Sequence, residues 1–269
     1  MPELPEVETI RRDLEKFIVG RELKGLKVKE QVHLLKNCTT RELQSVLVGQ
    51  KLNSIGRRGK FLLFNFEERI MVLHLRMSGR LLTKPSRHTR MVLEFSDDVT
   101  IYFDDARRFG TLHLAGYHEI DQLPSLRKLG LEPFSDEYSI ESFREKIVST
   151  QEIKRWLLDQ SNIAGLGNIY ANEALFIAGV NPMRTADSLS EDEKEELFKA
   201  IPLVLSHAIE AGGTSIRDYE TPSGELGNFQ NDFQVYDQYG ELCSVCGRKI
   251  RKLTQAGRSS YFCPECQPL

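Results

Sequence analysis

The chain lacks any long apolar run. No window of its 269 residues approaches the roughly eighteen consecutive apolar side chains of a membrane-spanning helix, so no membrane partner is expected. The stretch from Met1 to Phe17 also lacks an apolar core, which argues against a secretory signal and makes the cytoplasm the expected address. Internal repeats and low-complexity tracts are missing, and a composition of 40% hydrophobic and 28% charged residues is not that of a disordered or collagenous chain. Five cysteines over this length are too few for a disulfide scaffold. What remains is a globular protein long enough for one large domain or two modest ones.

Charge of one sign is missing as well: 36 Lys and Arg face 39 Asp and Glu, a net of −3, which gives no general affinity for a polyanion. The distribution is segregated, however. From Cys243 to Leu269 the bases Arg248, Lys249, Arg251, Lys252 and Arg258 are opposed only by Glu265, leaving +4 in a short tail, while Glu191 to Glu196 holds much of the acid.

Hydrophobic periodicity divides the chain. Pro5 opens a helical pattern in which Val7, Ile10, Leu14, Phe17 and Ile18 recur at three- and four-residue spacing, with Gly20 able to end it. From about residue 22 to 117 the pattern becomes short β-branched or aromatic runs: Lys60–Phe66, Arg69–Leu75, Met91–Phe95 and Val99–Phe103. Such strands at close spacing point to an antiparallel sandwich or barrel with the first helix packed on one side. Beyond a boundary near Gly130–Ser135 the period turns helical again. Ser139 should cap a helix carrying Phe143, Ile147 and Val148. Two further helical pieces, Lys154–Gln160 and Asn168–Ala178, flank a Gly-rich turn. Ser190 and Glu193 have capping-box spacing for a fourth helix, which Pro202 should break or kink. Residues 214–231 read as a long polar, flexible loop.

Cys38 stands alone, but Cys243-Ser-Val-Cys246 and Cys263-Pro-Glu-Cys266 form two C-x2-C pairs separated by sixteen residues. Two tight turns joined by a hairpin would point four thiolates at one ion. That completes a tetrahedral shell with no open position and implies one structural zinc ion. Two separate redox pairs and a rubredoxin-like iron site fit the same spacing, although no thioredoxin-like βαβ context accompanies it. A basic zinc hairpin beside a helical pair suits nucleic acid; a hairpin that only locks the C-terminus or binds protein is the alternative.

The chain start carries a chemical possibility of its own. Removal of Met1 would expose Pro2 as a secondary amine, an α-amino group that is partly neutral and nucleophilic near pH 8. Attack of that amine on a sugar C1′ gives a cationic iminium, an electron sink for proton removal at the neighbouring carbon. Glu3 stands beside it as a general acid/base, with Glu6 close behind.

This start does not occur alone. Pro2-Glu-Leu-Pro-Glu-Val-Glu-Thr, Arg57-Arg-Gly-Lys60, His74-Leu-Arg-Met-Ser-Gly, Asp105-Ala-Arg-Arg-Phe-Gly110, Gly165-Leu-Gly-Asn-Ile-Tyr and the four cysteines follow in one order. Together they resemble the bacterial formamidopyrimidine-DNA glycosylases, and the resemblance runs from residue 2 to about residue 266. It implies an α+β chain: an N-terminal antiparallel β-sandwich with flanking helices over 1–132, a helix–two-turns–helix DNA-binding domain with a lesion-capping loop over 133–235, and a zinc-binding β-hairpin over 236–269. It implies a monomer acting on duplex DNA that contains oxidised purines. By the same resemblance Pro2 is the nucleophile, Glu3 a proton shuttle, and Lys60 a DNA contact and proton donor in β-elimination. Arg258 holds the flanking phosphates and assists δ-elimination. His88, Lys154 and Asn168 contact DNA. Met77 and Phe109 fill the space left when the damaged base is flipped out, and Arg107 pairs with the orphaned cytosine. One departure stands out: where relatives often carry a basic residue shortly before the Lys154 position, this chain has Ser149-Thr-Gln.

Read without the resemblance, Lys60, Lys154, His88 and Arg258 would be solvated surface groups, and Met77 and Phe109 core packing. Three rivals follow. The related endonuclease VIII branch prefers oxidised pyrimidines, but the PELPEVE start and the complete Met77, Arg107 and Phe109 set argue against it. A non-catalytic damage-binding protein would be expected to have changed Pro2, Glu3 or Lys60. A zinc-anchored protein-interaction module leaves the N-terminal motif unexplained.

Overall fold

The computed structural model describes residues 1–29, 31–215 and 221–269. In chain order the elements begin with α1 (Leu4–Ile18), β1 (Leu23–Val28), α2 (Gln31–Leu34), α3 (Thr40–Leu47), β2 (Leu52–Arg58), β3 (Phe61–Phe66) and β4 (Arg69–His74). There follow β5 (Gly79–Leu82), β6 (Thr89–Phe95), β7 (Thr100–Asp105), β8 (Thr111–Gly116), α4 (Pro124–Arg127), α5 (Ile140–Lys146), α6 (Ile153–Leu158), α7 (Asn168–Ile177), α8 (Glu191–Glu210), β9 (Arg251–Gln255) and β10 (Arg258–Phe262). They sort into two compact units, Met1–Arg127 with Ala211–Asn228, and Lys128–Glu210 with Phe229–Leu269.

The first unit is an antiparallel sandwich. One four-stranded sheet has the order β1-β6-β7-β5, the other β2-β3-β4-β8. Alternation sets the inner faces: Met91, Leu93 and Phe95 of β6 meet Phe64, Phe66, Met71 and Leu73 of the other sheet in one core. Helix α1 adds Val7, Ile10, Leu14 and Ile18 to that core, all at most 1% exposed, as its spacing requires. Pro5 occupies the first turn, where its missing N–H costs nothing. The sequence runs named above correspond to the four inner strands, β3, β4, β6 and β7; β1, β5, β2 and β8 are the edges. Helix α3 begins at a Thr39–Glu42 capping box.

In the second unit Ser139 caps α5 by accepting the Ser142 N–H at 3.2 Å. The helix stops at Lys146, so Val148, expected within it, is 71% exposed. Helices α6 and α7 are joined by turns whose backbone is braced by one side chain. The Gln160 amide accepts the Gly165 N–H at 3.0 Å and donates to the Leu166 carbonyl at 2.8 Å. Gly130 runs against this turn so closely that a Cβ would lie 2.2 Å from the Asn162 carbonyl oxygen.

The Ser190–Glu193 capping box forms in both directions, at 3.2 and 2.7 Å. Of the break or kink expected at Pro202, the break does not occur: α8 continues through it to Glu210. Proline lacks the N–H that would have reached the Phe198 carbonyl one turn back, and the Tyr138 hydroxyl donates to that carbonyl instead, at 3.0 Å. The two rings stack with centroids 4.6 Å apart. Burial raises the Tyr138 phenol well above its ordinary pKa, so it remains a donor.

Tyr138→Phe keeps this stack and strands the Phe198 carbonyl. A loss of about 1–2 kcal/mol in urea unfolding is expected; an unchanged midpoint would show that the helix tolerates Pro202 for another reason.

Candidate active site and zinc centre

The first residues sit at the head of α1. Glu3 is the helix N-cap and only 4% exposed. Its N–H donates to Glu6 Oε2 at 2.8 Å, and Thr214 N–H donates to Glu6 Oε1 at 2.9 Å. With a backbone N–H on each oxygen, Glu6 braces the helix start against Thr214. Two turns further along the same helix, Asp13 accepts the Ser223 N–H at 2.8 Å. Helix α1 therefore holds both flanks of the segment read as a flexible loop over 214–231, of which 216–220 lie outside the described residues. The flanks approach closely: a Cβ on Gly227 would lie 2.2 Å from the Gly213 carbonyl oxygen.

Glu8 anchors the other side of α1 in ion pairs with Arg11, Arg12 and Arg57. Burial alone would raise its pKa, but hydrogen bonds from Arg11 and Arg12 and the charges of Arg11 and Arg57 outweigh it and hold the carboxyl at about 2.

Lys60 follows Gly59 in the tight turn between β2 and β3, with Gly59 at φ +54°. It is 6% exposed, not the solvated strand-edge lysine that its position alone suggests. Across the β3–β4 pair Phe61 faces His74, ring edge to ring face at 4.4 Å. Burial, then the charges of Arg76 and Lys60, push the His74 imidazole down to about 3 and keep it neutral. Its Nδ1 accepts the Arg76 N–H at 2.9 Å, which leaves the ring proton on Nε2. Arg76 takes φ +56° at this turn, and Arg108 takes φ +60° in the loop between β7 and β8.

Each left-handed arginine directly precedes one of the two candidate wedge residues. Met77 is 44% and Phe109 50% exposed, so neither is core packing, and the Arg107 guanidinium lies 4.8 Å over the Phe109 ring. A groove of about 450 Å³ is lined by Met1, Met77 and Phe109 together with His33, Lys36, Arg76, Arg108 and Thr111. No acid lines it. The groove brings the chain start and the wedge tips to one cationic space. His88 is half-buried in the turn just before β6, where its carbonyl accepts the Asp105 N–H at 3.0 Å.

The second unit holds the remaining candidates. The Sγ atoms of Cys243, Cys246, Cys263 and Cys266 lie within 4.8 Å of one another. Cys243 and Cys266 are 3.8 Å apart and Cys246 and Cys263 3.3 Å. A tetrahedral zinc with bonds of about 2.3 Å would space its sulfurs by about 3.8 Å, so the four fit one ion. Convergence on a single point leaves no place for two separate redox pairs. The ladder of β9 and β10 is closed by Ala256 and Gly257, both at positive φ, and this primed turn presents Arg258, which is exposed at the tip.

Lys154 was expected at the surface and is fully buried. Its ammonium donates to the Ser259 carbonyl at 2.6 Å and to Ser260 Oγ at 2.7 Å, directly behind Arg258. Asn168, at the first turn of α7, donates to the same Ser259 carbonyl at 3.1 Å. Its Oδ1 is buried with no hydrogen-bond partner among the described residues, at the N-terminal end of the helix. Sequence reasoning missed the roles of Glu6 and Asp13 because their partners lie some two hundred residues away.

Comparison with known proteins places these features in a family. Residues 1–112 match the formamidopyrimidine-DNA glycosylase N-terminal domain, 129–220 the H2TH domain of the same enzymes, and 240–269 a zinc finger found in them and in isoleucyl-tRNA synthetases. A formamidopyrimidine-DNA glycosylase of Cytobacillus firmus is 42% identical over 99% of this chain and 100% of its own length. One from Desulfitobacterium hafniense is 43% identical over 99% and 100%. Among solved structures, a Lactococcus lactis Fpg variant in complex with DNA containing Fapy-dG superposes with a TM-score of 0.92 at 38% identity, covering 100% of both chains. A MutM complex with DNA containing carbocyclic 8-oxo-G gives 0.90 at 38%, also covering 100% of both.

Two outcomes follow from this geometry. The folded-state pKa of Glu8 lies below its ordinary 4.5, so its stabilisation is complete above that pH and is lost as the pH falls toward 2; Glu8→Gln should flatten the acid limb of a pH–stability curve between those values. Zinc analysis should give about one ion per chain, and chelation should unravel the hairpin and abolish DNA binding. Retention of duplex affinity in the metal-free protein would make the hairpin dispensable.

Proposed function

The chain belongs to the formamidopyrimidine-DNA glycosylase family, and on that footing we propose that it is a bifunctional enzyme of base excision repair. It excises oxidised purines, 8-oxoguanine and formamidopyrimidines, from duplex DNA and then cleaves the strand at the abasic site. The observation that carries this reading is the groove that Met1, Met77 and Phe109 share, with three cations and, among the described residues, no acid on its wall.

The chemistry starts once Met1 is removed. The lone pair of the Pro2 nitrogen attacks C1′, and the electrons of the glycosidic bond leave with the base, which takes up a proton. Opening of the sugar ring at O4′, with Glu3 shuttling the proton, leaves C1′ as an iminium bound to Pro2. That cation acidifies C2′–H. Loss of the proton expels the 3′ phosphate by β-elimination, with Lys60 as DNA contact and proton donor. A second elimination expels the 5′ phosphate, assisted by Arg258, and leaves a one-nucleotide gap with phosphate ends. Hydrolysis of the iminium returns Pro2.

Base flipping costs a few kcal/mol, and insertion of Met77 and Phe109 into the vacated stack offsets part of it. Arg107 pairs with the orphaned cytosine, whose acceptors suit a guanidinium. Asn168 binds a phosphate beside the lesion through its side-chain NH2, at the positive end of the α7 dipole. His88 contacts the backbone. Lys154 supports DNA contact from behind the hairpin, by fixing the strand that carries Arg258. The zinc ion holds that hairpin and takes no part in bond making.

Borohydride added to the protein and a duplex with 8-oxoguanine opposite cytosine should trap a covalent adduct, absent in Pro2→Gly. Trapping with an oxidised pyrimidine alone would move the chain to the endonuclease VIII branch. A mature N-terminus that traps neither lesion would overturn the proposal.

A further inference from the structure

Three side chains assigned to the DNA gap stand on two separate loops of the first unit, Met77 between β4 and β5, and Arg107 with Phe109 between β7 and β8. The loops are tied together at their bases. The Ser78 hydroxyl donates to Asp105 Oδ1. The Arg107 N–H is shared between Ser78 Oγ at 3.0 Å and Asp105 Oδ1 at 3.2 Å. The other oxygen, Asp105 Oδ2, accepts the Gly110 N–H at 2.7 Å.

Asp105 is 1% exposed, so these charge-assisted bonds lie away from water, where they hold geometry most firmly. The β5–β7 register sets Gly79 directly opposite Asp105. A Cβ on Gly79 would meet the Leu75 carbonyl oxygen at 2.3 Å, and one on Gly110 would meet Phe103 at 2.6 Å. The bases of both loops are thus packed without slack, while Met77 and Phe109 at the tips are half exposed.

We propose that Ser78 and Asp105 are positioning residues that lock the Met77 loop and the Arg107–Phe109 loop into one body, so that filling the vacated stack and reading the orphaned base are a single event. The inference rests on the function proposed above. Two independent loops would each have to be ordered when they enter the duplex; a buried carboxylate that already joins them removes the second ordering step. It also couples specificity to extrusion. Arg107 reaches the base opposite the lesion only when its loop is seated, and through Ser78 that seat includes the turn carrying Met77. A mismatched orphan base therefore disturbs the wedge as well as the Arg107 contact.

The test is a mutant cycle read on three substrates: 8-oxoguanine opposite cytosine, 8-oxoguanine opposite adenine, and a single-stranded abasic oligonucleotide, which needs neither wedge nor reader. Ser78→Ala should lose roughly tenfold or more in single-turnover excision opposite cytosine and keep abasic cleavage within about twofold, as expected for one charge-assisted hydrogen bond. The preference for cytosine over adenine should narrow. Ser78→Thr, which keeps the hydroxyl, should restore both. Asp105→Asn, with its fold checked by melting, should repeat the selective loss. In a Phe109→Ala background Ser78→Ala should cost about twofold at most, because the loop it positions no longer carries its wedge. Additive losses in that cycle, or an equal loss on the single-stranded oligonucleotide, would overturn the clamp. So would a Ser78→Ala enzyme indistinguishable from wild type. An active wild type with a silent Ser78→Ala counts against the clamp alone; a wild type that forms no borohydride adduct counts against the underlying function.

Discussion

Burial of the apolar stripe of α1 is the constraint on which the first unit turns. Val7, Ile10, Leu14 and Ile18 join the sandwich core and so fix a helix whose first residues would otherwise be the loosest part of the chain. A terminal amine has no neighbours on one side, and only the element that follows it can hold it in place. Here that element also carries Glu6 and Asp13, which take backbone N–H groups from both flanks of the 216–220 segment, and Glu8, which collects three arginines. One helix thereby sets the position of the chain start and of a distant segment, using its apolar face for stability and its acidic residues for alignment.

How far the sequence revealed this follows strand position. The inner strands β3, β4, β6 and β7 are buried and show as apolar runs. The edge strands carry polar side chains where they face water, as in Leu23-Lys-Gly-Leu-Lys-Val, and their pattern is diluted accordingly. The helix runs on past Pro202 for a related reason: the carbonyl that the proline strands is satisfied by Tyr138, sixty residues earlier in the chain. Short-range motifs were more faithful. The cysteine spacing led to a set that converges on one point, and both turns expected to hold a helix end, at Ser139 and Ser190, form. Lys154 could not be placed from sequence, since nothing local distinguishes a buried ammonium with two oxygen partners from a solvated one.

Net charge was uninformative because the relevant charge is sorted by depth. Acids such as Glu6, Glu8, Asp13 and Asp105 are buried and occupied with backbone N–H groups or arginines. Cations line the groove beside Met77 and Phe109, and two of them, Lys36 and Arg76, add to burial in lowering the pKa of His113 on β8. A surface can thus be cationic where it matters in a protein whose total charge is slightly negative. The left-handed backbone at Arg76 and Arg108 belongs with this arrangement, since it puts a guanidinium at each point where the chain turns toward a wedge tip.

Met1 lines the groove and is 45% exposed, whereas Leu269 at the other end is 83% exposed and follows the last cysteine of the zinc site by three residues. The two termini are therefore not equivalent handles. An affinity tag or reporter fused ahead of Met1 would convert the proposed amine into an amide and fill the space beside Met77, giving a folded, DNA-binding protein without chemistry. The same fusion after Leu269 leaves the amine to the cell's own methionine aminopeptidase. On the proposed mechanism, expression level and catalytic competence would be separate quantities, joined by a processing step that a fold-sensitive assay would not detect.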